Sequence, residues 1–112
     1  MIIRLTESYV VNDNDEVTIT VTVGQGQKGN TEMFFEGKKL PCKSKCTLGT
    51  GKDLTGKSVR VISVVTDTSK HTNDTSVIYD LKGGKSPKQH KVSYTVKKER
   101  DTVDYIATFK FV

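Results

Sequence analysis

Residues 102–112 read TVDYIATFKFV, and apolar and polar side chains alternate along most of this segment. The two faces that result are Val103, Tyr105, Ala107, Phe109 and Phe111 on one side, and Asp104, Thr108 and Lys110 on the other. A period of two residues is typical of a β-strand that has one face on a core and the other toward water. The segment therefore predicts a strand at the end of the chain.

The rest of the chain repeats this pattern at short and fairly even intervals. Residues 16–23 show the purest alternation, with valine and isoleucine on one face and threonine on the other. Further strands are predicted at about residues 2–11, 31–36, 47–48, 58–67, 76–82 and 92–96. We expect an all-β domain, an antiparallel two-sheet β-sandwich of 7–8 strands, immunoglobulin-like or jelly-roll-like. A small closed β-barrel is the alternative.

The predicted strand at residues 58–67 differs from the others because both of its faces are partly apolar. Val59, Val61 and Val65 share one face, while Ile62 and Val64 lie on the other. A strand of this kind is typical of a position that is buried on both sides. We therefore expect a central strand whose second face is covered.

The length of 112 residues fits one domain, which we place at residues 1–112. No apolar run approaches the roughly 20 residues that a membrane-spanning helix needs, so we expect a soluble protein. Arg4 and Glu7 interrupt the first residues before a signal peptide could develop. If Met1 is the native start, we expect a cytoplasmic protein or one exported without a cleaved signal.

A net charge of +5 raises the possibility of an anionic ligand. Most of the basic residues are lysines, whereas phosphate and base recognition favours arginine, and most aromatic residues fall on predicted core faces. We therefore consider nucleic acid an improbable partner. Two lysine-rich segments, 38–45 and 82–91, are the candidate binding loops for a glycan or polyanion, with Lys38, Lys39, Lys43, Lys45, Lys85, Lys88 and Lys91 as the candidate residues.

Cys42 and Cys46 are the only cysteines, and their spacing is wider than that of a thioredoxin-type motif. We favour free thiols. A disulfide in an oxidising compartment and a metal site remain as alternatives.

The sequence contains no arrangement typical of a catalytic site. His71 and His90 fall in polar, lysine-rich segments without an apolar neighbour that would hold an imidazole in place. The acidic turn Asp13, Asp15 and Glu16 is a weak calcium candidate, because it lacks the glycine and the distant glutamate of the helix-loop-helix calcium motif. We therefore expect no enzyme activity, no cofactor and no metal.

The remaining hypothesis is a non-enzymatic protein–protein interaction or structural assembly module that acts through sheet edges and loops. Unpaired strand edges add partner strands by main-chain hydrogen bonds. Residues 2–11 and 102–112 are the candidate edges, and a protein partner or a homo-oligomer is the expected partner. A glycan- or polyanion-binding module that uses the lysine-rich loops is the alternative.

Overall fold

The structure is a computed structural model that describes residues 1–24, 27–68, 73–98 and 100–112. In these ranges the chain forms nine strands and one helix of four residues. The elements are β1 (Ile2–Tyr9), β2 (Glu16–Val23), β3 (Gln27–Phe35), β4 (Lys38–Lys39), β5 (Lys45–Thr50), α1 (Gly51–Leu54), β6 (Ser58–Asp67), β7 (Asp74–Lys82), β8 (Lys88–Thr95) and β9 (Thr102–Phe111). The two-residue β4 is the strand that the sequence did not predict.

The strands form two sheets, and neither closes on itself. One sheet has five strands in the order β1-β9-β6-β3-β4, and the other has four in the order β5-β2-β7-β8. The domain is thus all-β with two layers. The closed barrel that the sequence left as an alternative is wrong, because the strands separate into two open sheets.

The first and last strands lie side by side and run in the same direction. Ile2 pairs with Asp104 and Tyr9 with Phe111, so β1 is parallel to β9. The other pairs between described strands are antiparallel, as the alternation predicted. As a result β9 lies between β1 and β6, and β1 forms one edge of the five-stranded sheet.

The core lies between the two sheets and comes from one face of each long strand. The alternation in β9 predicted its five buried side chains correctly. Three buried valines of β6 lie beside them in the same sheet. The three buried apolar residues of β2, in the other sheet, face them across the core. The fully buried members of the core with the largest side chains are Tyr79, Tyr105, Phe109, Phe111, Ile19 and Met33.

Short main-chain contacts connect the strands at the end of the sheets where β9 finishes. We call this the upper end. The N–H of Lys85 donates to the carbonyl of Val10, and the N–H of Gly56 donates to that of Phe111. Gly83 begins the β7–β8 connection with a φ of 96°, and a Cβ at this position would collide with the main chain of Glu16. Only glycine fits this close approach without strain.

Candidate functional site

The two lysine groups lie on opposite sides of the molecule. Lys38 and Lys39 form β4 at one edge of the five-stranded sheet, and Lys45 begins β5 at the corresponding edge of the four-stranded sheet. Lys88 and Lys91 belong to β8, which is the opposite edge of that sheet. At about 4.8 Å per strand, β5 and β8 are roughly 14 Å apart across β2 and β7. The fold does not bring the two groups together.

Within each group the lysines are exposed, and several lie on strands that the sequence analysis treated as loops. Lys85 lies in the β7–β8 connection, and Lys88 and Lys91 follow it along the edge strand. On the other side, Lys39 forms an exposed ion pair with Glu32 at 3.4 Å. An exposed pair of this kind contributes about 0–1 kcal/mol, so Glu32 stays available to other partners.

The two cysteines form a disulfide bond, so the prediction of free thiols is wrong. Cys42 and Cys46 have Cα atoms 5.5 Å apart, within the range that a disulfide spans. The sequence did not predict this bond because the spacing of the two cysteines matches no common redox motif. The bond forms because the connection from β4 to β5 folds back tightly. The bond leaves neither sulfur as a free nucleophile or metal ligand.

His90 is not a loop residue, contrary to the sequence analysis. It lies on β8 opposite Tyr79 of β7, and its ring lies 5.7 Å from that of Phe109. The imidazole is therefore half-buried against an aromatic core residue. His71, the other histidine considered for catalysis, lies outside the described residues.

Two buried tyrosines near this position differ in their hydrogen bonding. The hydroxyl of Thr75 donates to the carbonyl of Tyr94 and accepts from the hydroxyl of Tyr105 at 2.6 Å. The hydroxyl of Tyr79 is buried and forms no hydrogen bond with the described residues. Burial raises the pKa of both tyrosine hydroxyls above the ordinary value.

The acidic turn formed by Asp13, Asp15 and Glu16 contributes main-chain hydrogen bonds to the fold and does not bring its carboxylates together. The carbonyls of Asp13 and Asp15 accept the N–H groups of Lys52 and Gly51 at the start of α1. Glu16 is exposed at the first position of β2. Among the described residues, no three side chains of the metal-binding types lie close enough to hold an ion.

Of the two candidate sheet edges, only β1 is an edge. The segment 102–112 contains β9, which is an interior strand, so the prediction of an open edge there is wrong. The sequence could not show this, because the parallel β1–β9 pair joins opposite ends of the chain. At the two ends of the β1–β9 pair, the carbonyls of Met1 and Tyr9 accept hydrogen bonds from the N–H groups of Asp104 and Val112. Alternation then turns the main-chain groups of the even-numbered residues to the open side.

The open edge of β1 carries features that discourage pairing with another strand. Arg4 is exposed on it, and the position of Glu7 on the inward face places a charge between Leu5 and Tyr9. Charged residues on an edge strand, inward-pointing ones included, are devices that block edge-to-edge association. The carbonyl of Val10 is already occupied by Lys85.

The outer face of the five-stranded sheet carries an uncovered apolar patch. We define this patch by five residues, of which Ile2 and Val64 are 51% and 39% exposed and the other three are half-buried: Ile2, Phe34, Ile62, Val64 and Ile106. The pairing register places Ile62 beside Ile106 in the centre of the sheet. No described element lies over this face, so the cover that the sequence predicted for Ile62 and Val64 is absent from the described part of the chain.

Charged residues border the patch, and a shallow concavity lies at its upper end. In the central row of the sheet, Arg4 on β1 and Glu32 on β3 flank Ile106 and Ile62. The concavity has a volume of about 350 Å³, and Phe34 and Arg60 contribute to its lining. The sequence did not reveal Ile106 as part of the patch, because its neighbours on the same face of β9 are polar. Ile62 and Val64 were recognisable because they give β6 a second apolar face.

Comparison of the chain with protein-family models, with curated proteins and with solved structures finds no match. In the part of the chain that the structure describes, no helix has the length and apolar character needed to cross a membrane. The arguments below therefore rest on the geometry of the chain itself.

Proposed function

We propose that the domain is a non-enzymatic protein–protein interaction or structural assembly module. The observation that carries the proposal is the apolar patch on the outer face of the five-stranded sheet. Contiguous apolar side chains with a polar border are typical of surfaces that associate with another protein. Two isoleucines at the centre of a sheet face, with charges at its edges, fit that description.

The open edge of β1 is a second route to association, as the sequence suggested. A proline at Thr6 removes an N–H group that points to the open side and leaves the β1–β9 hydrogen bonds in place. Thr6→Pro therefore blocks strand addition while Thr6→Ala preserves it. Because Arg4 and Glu7 already protect this edge, we expect association to survive Thr6→Pro.

Within the two-layer arrangement, we propose a sandwich of the immunoglobulin-like or jelly-roll-like type. The face-to-face packing of the buried strand faces supports this assignment. The disulfide between Cys42 and Cys46 favours an oxidising compartment over the cytoplasm, since reducing compartments keep thiols free.

The test is the mass in solution, measured by light scattering at low and high salt. We expect a stable oligomer at both salts, because apolar contacts resist screening. Ile62→Lys should convert it to a monomer, since the variant would bury an unpaired charge. Ile78→Lys is the matched control, because Ile78 is also half-buried but lies on the outer face of the other sheet. A wild-type chain that is a monomer at both salts contradicts the assembly function.

The arrangement of lysines on β8 favours polyanion binding as a second candidate function. Lys85, Lys88 and Lys91 follow one another along the same exposed edge, with Lys88 and Lys91 on opposite faces of β8. None of the three forms an ion pair with an acidic side chain among the described residues. Binding of heparin to this edge should weaken steeply with salt, because sulfate contacts release counterions. Affinity that ignores salt, or that survives replacement of all three lysines by alanine, contradicts this candidate. Replacement of Lys38, Lys39 and Lys43 is the matched control.

A further inference from the structure

We infer that the occupant of the apolar patch is a second copy of this chain, packed face to face about a two-fold axis that runs parallel to the strands. This inference rests on the proposed function, because it names the partner for the same surface. The argument comes from the order of side chains across the central row of the five-stranded sheet.

The central row reads positive, apolar, apolar, negative from one edge to the other. Arg4 on β1 pairs in register with Ile106 on β9, Ile106 with Ile62 on β6, and Ile62 with Glu32 on β3. All four side chains lie on the outer face, because residues paired in register share a face. When the row is read from the opposite edge, a negative residue stands where the positive one stood, and an isoleucine again occupies each of the two central positions.

A two-fold axis parallel to the strands places β1 of one copy over β3 of the other, and β9 of one copy over β6 of the other. Arg4 of each copy then faces the second copy's Glu32, and Ile106 faces the second copy's Ile62. An axis perpendicular to the strands would instead oppose Arg4 to the second copy's Arg4. Charge complementarity therefore selects the parallel axis, and a two-fold axis makes each contact occur twice.

The rows on either side of the central row oppose no like charges in this arrangement, although the lower row places the Asp104 carboxylate against an apolar side chain. Below it, Asp104 and Val64 are neighbours, and above it, Thr108 and Arg60 are neighbours. Under the proposed axis Asp104 faces the second copy's Val64, and Arg60 faces the second copy's Thr108. Neither row opposes like charges. Packed sheets cross at an angle of roughly 30°, so residues near the corners of the two faces are displaced from these pairings. Residues of the central row keep them.

The size of the face is near the lower limit for a specific dimer. Four long strands at about 4.8 Å and some eight residues at about 3.3 Å each give a face of roughly 500 Å². That is of the same order as the roughly 800 Å² that each partner buries in a standard interface. This area is that of a flat face and leaves out the additional surface of the protruding side chains. Glu32 can contribute because it remains 43% exposed in its pair with Lys39.

A charge-reversal cycle tests the inference. In one chain Arg4 and Glu32 are three strands apart, about 14 Å, so the ion pair to be tested forms between copies. Arg4→Glu and Glu32→Arg should each raise the dimer dissociation constant by at least about tenfold at low salt, because each opposes like charges. The double variant should return to within about threefold of the wild type. Sedimentation equilibrium measures all four chains.

The outcomes separate this inference from the function on which it rests. Rescue in the double variant, with dimer loss in Ile62→Lys, supports the second copy and its axis. An oligomer that is lost in Ile62→Lys but shows no rescue overturns the axis and leaves the assembly function standing. An oligomer that survives Ile62→Lys but is lost in Thr6→Pro overturns the second copy on this face and assigns assembly to the edge of β1. A monomeric wild type overturns both. Circular dichroism of each variant confirms that the β-structure is retained.

Discussion

The outer faces of the two sheets have the same backbone pattern but different chemistry. The four-stranded sheet presents mostly threonine, serine and charged groups, with Ile78 as a half-buried exception. The polar groups on that face also bond to one another, as Gln89 does with Asp80 at 2.9 Å. The five-stranded sheet instead places Ile62 beside Ile106 at its centre. This difference is the basis of the proposed association through the five-stranded face.

The largest effect should come from making the two faces alike. The double variant Ile62→Thr, Ile106→Thr gives the five-stranded face the threonine surface of the other sheet. The dimer buries these two isoleucines from each copy, four in all, and each is already half-buried in the single chain. If each loses about one methylene's worth of burial, roughly 0.8 kcal/mol, the total of about 3 kcal/mol raises the dimer dissociation constant by roughly a hundredfold. Threonine favours strands, so the far-ultraviolet circular dichroism should stay unchanged. Sedimentation equilibrium measures the association.

The reciprocal change is the control for that variant. Thr18→Val, Thr20→Val gives the four-stranded face an apolar pair, and we expect no dimer through the new surface because no complementary charges border it. If the Ile62→Thr, Ile106→Thr variant associates as tightly as the wild type, the difference between the faces has no part in assembly.

The disulfide should affect stability but not association. It closes a loop of five residues in the connection between the two sheets, and loop-closure entropy predicts a stabilisation of about 2 kcal/mol. We expect Cys42→Ser, Cys46→Ser to lower the free energy of unfolding in urea by that amount, with an unchanged mass in solution. Addition of a reductant to the wild type should lower stability equally and leave the variant unaffected. A dimer lost on reduction would link the β4–β5 connection to the interface.

The two buried tyrosines offer a smaller and more selective comparison within the core. Tyr105→Phe removes a hydrogen bond to Thr75 and should cost about 1 kcal/mol. Tyr79→Phe removes a buried hydroxyl that has no described partner and should leave stability unchanged or raise it by up to about 1 kcal/mol. Urea denaturation measures both variants, and equal losses would contradict this account of the core.

Alkaline pH should produce the smallest of these effects at ordinary working conditions. Burial raises the pKa of Tyr79 and of Tyr105 in the folded state, and each tyrosine is neutral when protonated. Their contribution to stability is therefore complete below the unfolded value of about 10 and is lost as the pH rises above it. Urea titrations from about two units below that unfolded pKa to about one unit above it should show a flat region and then a decline. Tyr79→Phe should decline less steeply than the wild type.

The alternation of apolar and polar residues was enough to predict the all-β class and the buried face of β9. It works because side-chain direction in a strand depends only on position along the chain. The parallel β1–β9 pair was not predictable in this way, because pairing between distant segments leaves no local pattern. The same reason explains the wrong open edge at residues 102–112.

The candidate site was predictable in part. Ile62 and Val64 showed that β6 has two apolar faces, but only the sheet order places Ile106 beside Ile62 and Arg4 opposite Glu32 across the row. The burial of His90 against Phe109 was also hidden, since β8 begins within a segment that is rich in lysine. Binding by the two lysine groups stays a prediction.

Hydroxyl-radical footprinting of the wild-type chain at low and high protein concentration tests the central claim most directly. The claim predicts that Phe34, Ile62 and Ile106 become protected as the concentration rises, while Ile78 keeps the same reactivity. Protection of Ile78, or unchanged reactivity of Phe34, Ile62 and Ile106 as the concentration rises, would contradict it.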